Sequence, residues 1–110
     1  MVYNSNIENG RIIKMTPAKS VEYFLEQLKT ADNKSKNEIE NSLVQIGNDA
    51  VPGLVSKLSS VTGTVRGIVA MTLIRIGEPS VAYLKKAAAK DKNLEWVAKY
   101  LITEINGAAA

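Results

Sequence analysis

Two stretches decide the fold: IGNDAVPGLVSKL, residues 46–58, and IGEPSVAYLKKAA, residues 76–88. They begin 30 positions apart, and carrying that offset along the chain aligns apolar residues elsewhere. Val21, Val51 and Val81 coincide, as do Phe24, Leu54 and Leu84, then Leu28, Leu58 and Ala88. Leu43 meets Leu73 and Ile46 meets Ile76, and an offset of 29 carries both series on to Ile102 and Ile105. The chain therefore divides into three units, 17–46, 47–76 and 77–106, with a one-residue deletion in the last. An N-terminal extension, 1–16, and a short tail, 107–110, lie outside them. Self-similarity at this period is the mark of stacked supersecondary units, each too small to bury its own apolar surface.

Within a unit the apolar spacing is helical. Val21, Phe24, Leu25 and Leu28 fall at i, i+3, i+4 and i+7, and Val51, Leu54, Val55 and Leu58 repeat the pattern. Val65, Val69, Leu73 and Ile76 form one stripe in the second half of unit two, so each unit is a pair of amphipathic helices, A and B. The spacing predicts helices over 17–30, 35–46, 49–59, 64–76, 79–89 and 93–106. Thr16-Pro17 has the form of an N-cap followed by Pro at the first helical position, and Glu78-Pro79 repeats it. Ser35 and Glu38 have the spacing of a capping box. Gly47, Gly77 and Gly107 stand where a helix C-terminus favours glycine. Unit two is the most apolar, and its B helix is expected to be the central layer, covered on both sides.

Val65-Arg66, Ala70, Leu73, Ile76-Gly77, Val81 and Leu84 resemble the core pattern of HEAT repeats, and the short period resembles the bacterial variety known from phycobilisome lyases. Residues 47–54, GNDAVPGL, are similar to that family's inter-repeat turn. The resemblance spans 17–106 and weakens in unit one, where Ser35-Lys36 replaces Val-Arg. It implies an all-α fold, an α-solenoid (α-α superhelix) of three HEAT-like helical hairpins with A helices convex and B helices concave. It also implies a scaffold that binds other proteins. Some relatives attach or detach bilins and some longer ones act on alkylated DNA. A bilin lyase-related subunit or chaperone is thus the alternative expectation, and a weak nucleic-acid binder the third.

On a concave B face the positions that differ between units form columns. One is Asn37, Gly67 and Trp96; the next is Asn41, Met71 and Tyr100. Trp96 and Tyr100 are i, i+4 neighbours, and large aromatics and Met are enriched at binding hot spots. Asn37, Asn41, Met71, Trp96 and Tyr100 are therefore the protein-binding candidates, with Trp96 as an end cap the competing reading. Arg66 holds the family's recurring basic position, which implies a structural bond to a carboxylate or to helix C-terminal carbonyls.

Composition narrows the chemistry. The chain has no Cys and no His, which removes thiol and imidazole catalysis and nearly every zinc site. No catalytic residue, metal or cofactor is expected. The carboxylates Asp32, Glu38 and Glu40, and the pair Glu22 and Glu26, lack an enclosing apolar cleft in the sequence pattern and are expected to be solvated. The net charge of +3 is thinly spread: six basic against six acidic residues in 1–46, three against one in 47–76, five against four in 77–110. Lys85, Lys86, Lys90 and Lys92 form a local run without interleaved aromatics, which disfavours nucleic acid. No apolar run is long enough for a membrane span, and the start lacks the pattern of a secretory signal, so a cytoplasmic location is expected. Neither terminal unit has a plainly polar outer surface in sequence, so self-association through the end faces is a further expectation. Ile7, Ile12, Ile13 and Met15 are expected to pack as a short cap on unit one, after a disordered Asn-rich start.

Overall fold

The computed structural model describes residues 5–8, 11–14 and 16–109. Six α-helices account for the repeats: α1 (Pro17–Leu28), α2 (Asn33–Ile46), α3 (Val51–Lys57), α4 (Gly63–Ile76), α5 (Pro79–Lys90) and α6 (Glu95–Ala109). A 3-10 turn leads into α3 at Gly47–Ala50, and a second leads into α6 at Lys92–Leu94. Helices α1 and α2, α3 and α4, and α5 and α6 pair within units. Between units, α1 packs on α3 and α3 on α5, while α2 packs on α4 and α4 on α6. The A helices thus form one layer and the B helices a second.

The aligned positions lie between these layers. Val21, Val51, Leu54, Leu58, Leu84, Leu43 and Leu73 are all buried, with Val69, Leu101 and Ile105 beside them. Such aliphatic burial stabilises by roughly 1.5–3 kcal/mol per side chain. A unit cannot cover its apolar surface alone, so neighbours supply the rest. Helix α4 packs against both adjacent B helices, as expected of the central layer, while Thr64, Gly67, Met71 and Arg75 stay exposed along its outer side.

Helix ends follow local chemistry. Thr16 caps α1, its Oγ1 accepting from the Lys19 N–H at 3.2 Å, with Pro17 at the first helical position. Helix α2 starts earlier than the capping-box pattern predicts. Asp32 is the N-cap, its Oδ1 accepting from the Ser35 N–H at 2.8 Å, so the Ser35–Glu38 box does not form. A carboxylate in extended backbone outcompetes a serine three residues later because it also complements the helix dipole. Glu78 likewise makes no cap; it is already helical in backbone, and Pro79 stands alone as the start signal. Gly47 and Gly77 do end B helices at positive φ, 72° and 87°, with ψ near −136° and −137°. That is beyond the left-handed helical well and open essentially to glycine alone. Gly107 ends nothing: α6 runs through it to Ala109.

The turn after α4 is tied to the next unit. Leu73 C=O accepts from the Gly77 N–H at 3.0 Å and from the buried Ser80 Oγ at 2.9 Å, using both lone pairs. Ala50 occupies the equivalent place in unit two and Ser20 in unit one. No B helix precedes α1, and the buried Ser20 hydroxyl has no hydrogen-bond partner among the described residues.

The extension differs from expectation. Strands β1 (Ser5–Glu8) and β2 (Arg11–Lys14) pair antiparallel, with Ile7 opposite Ile12 and Asn6 opposite Ile13. The intervening Asn9-Gly10 dipeptide is the strongest short hairpin signal in sequence, and the helical reading of the chain passed over it. The expected disorder of the Asn-rich start at residues 1–4, and the expected packing of Ile7, Ile12, Ile13 and Met15 as a cap on unit one, fall outside the described residues and side chains.

Two outcomes check this description. Leu73→Ala removes a fully buried side chain at the centre of the stack and should cost about 2–5 kcal/mol in denaturant unfolding, a large share of a small domain's stability. The Asp32 carboxyl is held below its usual value first by the Ser35 backbone hydrogen bond, then by the Ser35 hydroxyl and the charge of Lys36. A depressed folded-state value means its contribution is present above the ordinary carboxylate range and lost as pH falls through the folded-state value. Asp32→Ala should therefore be less stable than wild type at pH 7 and nearly equal to it in strong acid.

Candidate functional site: the outer stripe of the B helices

Three parallel-running helices present the same register positions side by side, because each B helix packs on the next at a constant repeat offset. The outermost stripe of α2 is Lys34, Asn37, Asn41 and Gln45; of α4, Thr64, Gly67, Met71 and Arg75; of α6 and the 3-10 turn leading into it, Asn93, Trp96, Tyr100 and Glu104. All twelve are exposed. The stripe changes in character along the stack, from amides on α2 to aromatics on α6. Trp96 is 68% exposed, Tyr100 55% and Met71 50%. A tryptophan this bare does not cover the open end of the last unit, so its alternative role as a cap is not what the geometry provides. The Glu104 carboxylate one turn on raises the pKa of the Tyr100 hydroxyl, first as a hydrogen-bond acceptor for its proton and then by its charge.

Asn37 and Asn41 are both on the stripe, but Asn41 is engaged. Arg75 Nη1 donates to Asn41 Oδ1 at 2.9 Å and to Glu40 Oε2 at 2.8 Å. This bridge spans units one and two and fixes α4 against α2. The bond that the family resemblance implies for Arg66 is not made: the residue is half-buried, and its guanidinium makes no hydrogen bond or ion pair among the described residues. Helical side chains lean toward the N-terminus, so Arg75 in the last turn of α4 reaches back to Glu40 and Asn41 on the neighbour. Lys36 is the equivalent of Arg66 on α2, and the carboxylate one turn before it, Asp32, is engaged as the helix cap. The signal for Arg75 was present as a basic residue near the end of one B helix and Glu40 on the adjacent one.

Gly67 has no structural reason within the chain. It lies inside α4 without positive φ, and a Cβ built on it would meet nothing within 4 Å. Mid-helix glycine costs about 1 kcal/mol relative to alanine. The residue leaves bare backbone between Met71 and Trp96.

The other candidates are surface features. Glu22 and Glu26 border an open groove of about 580 Å³ between units one and two, floored by Leu25, Val61 and Val65. Glu26 pairs with Lys29 at 3.0 Å, and both are well exposed. A matching groove of about 400 Å³ between units two and three carries Lys86 and Lys90, with Lys86 over the Tyr83 ring at 5.6 Å. Lys85 and Lys92 are exposed. Asp32 is spent on its cap, Glu40 on Arg75, and Glu38 is exposed. No cluster of metal-ligating side chains occurs among the described residues, and no helix is long and apolar enough to cross a membrane.

Both ends of the stack carry polar residues at positions that are packed inside it. On the first unit Glu38 is exposed where Ile68 is half-buried and Val97 buried, and Ser42 replaces the buried Thr72 and Leu101. On the last, Lys85 is exposed where Leu25 and Val55 are buried, and Thr103 is exposed where Val44 and Ile74 are half-buried. Terminal units of stacked repeats need such polar outer faces for solubility.

No family model matches the chain, and neither curated proteins nor solved structures gave a match. The site's exposure carries a direct consequence. Trp96→Ala combined with Tyr100→Ala should change unfolding free energy by no more than about 0.5 kcal/mol, the range of ordinary surface substitutions, whereas Leu101→Ala on the opposite side of α6 should cost about 2–5 kcal/mol.

Proposed function

We propose that the chain is a short α-solenoid of three HEAT-like hairpins and serves as a non-catalytic scaffold that binds a protein segment on its B-helix face. The stacking of A helix on A helix and B helix on B helix supports the solenoid reading. The observation that carries the functional reading is the coincidence of Trp96, Tyr100 and Met71, all at least half exposed, on one stripe of a packed layer. Isolated exposed apolar residues are ordinary, but large aromatics and Met clustered on a rigid face are what interfaces use. The face is rigid for a stated reason: the side opposite the stripe is the buried aliphatic layer, and Arg75 ties α4 to α2. Preorganisation of this kind lowers the entropy lost when a partner docks. The grooves between units are open, and their charged rims are mixed in sign, which makes them weaker candidates.

The test is panning of a random peptide display library on immobilised wild type and on the Trp96→Ala, Tyr100→Ala double variant, with circular dichroism establishing that both are folded. Peptides enriched on wild type and lost on the double variant are expected. Enrichment of the same peptides on both proteins would place recognition elsewhere and overturn the reading.

A further inference from the structure

Every junction inside the stack is made by the same register positions, so the two ends show what one more junction would bring together. The open side of unit one keeps a groove of about 290 Å³ lined by Tyr23, Phe24, Gln27 and Ile39, with Glu38 as its only charged lining residue. Lys34, one turn before Glu38, stands on the outer stripe and does not line the groove. Tyr23 holds the place from which Tyr83 lines the groove between units two and three. On the same helix Ser20 is 2% exposed, and its hydroxyl has no partner among the described residues. Its counterpart Ser80 donates to the Leu73 C=O on the B helix of the preceding unit. What Ser20 lacks is therefore a helix carbonyl that a preceding unit would supply, and a buried hydroxyl without a partner is uncommon in a finished fold.

The other end carries the opposite charge. Glu22, Leu25 and Glu26 line the groove toward unit two, and Pro52, Val55 and Ser56 line the one toward unit three. Their counterparts on unit three are Ala82, Lys85 and Lys86, all exposed. In the B layer Glu40, which takes Arg75 from the following unit, has exposed Lys99 as its counterpart. Glu95, one turn before Lys99, offsets one of these three charges.

We propose that copies of this chain associate head to tail, with the last unit of one stacked on the first unit of the next. Lys85 of one copy pairs with Glu38 of the following copy, and the Ser20 hydroxyl donates to the Ile102 C=O of the copy before it. The register sets both contacts. Leu25 shares its groove with Val65, and Val55 shares its groove with Leu94. Ser35 is the counterpart of Val65 and Leu94, so Lys85 meets Ser35 and its ammonium reaches Glu38 one turn on. Ile102 is the counterpart of Leu73. Polar ends keep copies from adhering indiscriminately, while ends of opposite sign select this one junction over like against like. The contact is heterologous, so it adds copies in series. It leaves the outer stripe of the B helices uncovered and stands independently of the peptide-binding reading.

Sedimentation velocity over a concentration series tests it. Wild type should rise above the monomer mass of 11.9 kDa as concentration increases at about 0.01 M salt. It should return toward that mass at about 1 M salt, because the screening length falls from about 30 Å to about 3 Å. Glu38→Lys and Lys85→Glu change exposed residues, and each alone should weaken association at least about tenfold. An equal mixture of the two should recover it, because alternating copies again set Lys against Glu at every junction. Ser20→Ala, for which Ala50 is the precedent in unit two, should raise the denaturant midpoint of the monomer yet weaken association. A strict monomer at low salt, association that both charge variants or Ser20→Ala leave unchanged, or a mixture that stays monomeric would overturn the proposal.

Discussion

The structure depends on the burial of aliphatic side chains between successive units. Each helical pair exposes apolar residues on the sides that face its neighbours, and only stacking removes them from water. Leu43, Leu54, Leu73 and Leu84 are fully buried because residues of adjoining units cover them. The middle unit is covered on both sides, which accounts for its near-continuous apolar sequence, VRGIVAMTLIRIG at residues 65–77. The Gly47 and Gly77 turns, the Ser80–Leu73 hydrogen bond and the Arg75 bridge are secondary to this. They set the angle and register in which the aliphatic layers meet.

A stack held by shared positions leaves its other positions free to differ. The B-helix stripe uses that freedom most. Its α2 members are Asn37, Asn41 and Gln45, its α6 members Trp96, Tyr100 and Glu104, and α4 supplies Gly67 and Met71 between them. None of these residues is needed for the core, and Gly67 works against helix stability. The end faces differ from consensus in the opposite sense, becoming polar at Glu38, Ser42, Lys85 and Thr103.

Much of this was legible in the sequence because helix periodicity and repeat offset are strong signals. The six helices follow from the spacing of Val, Leu and Ile, whereas the columns alone leave Trp96 open between partner contact and end cap, and only the coordinates show it exposed. What escaped notice was local competition and reach. Asp32 capped α2 instead of Ser35 because a carboxylate two turns upstream of the apolar run was already in position. Gly107 does not stop α6, which runs on to Ala109. Arg75, for which the sequence pattern gives no role, makes the bridge to α2, because the backward lean of helical side chains brings a late position to Glu40 and Asn41. The Asn9-Gly10 hairpin signal lay outside the repeat and was passed over for that reason. The inertness of Gly67 toward its surroundings could be learned only from coordinates, since sequence does not say whether another segment fills the space above a glycine.

The central claim is that a rigid aliphatic stack holds Trp96 bare on its B-helix face. Acrylamide quenching of the single tryptophan in the folded monomer tests it most directly. The account predicts a quenching constant close to that of the same chain unfolded in denaturant, with emission at the position of a water-exposed indole. A blue-shifted emission shielded from acrylamide, and released only on unfolding, would contradict it.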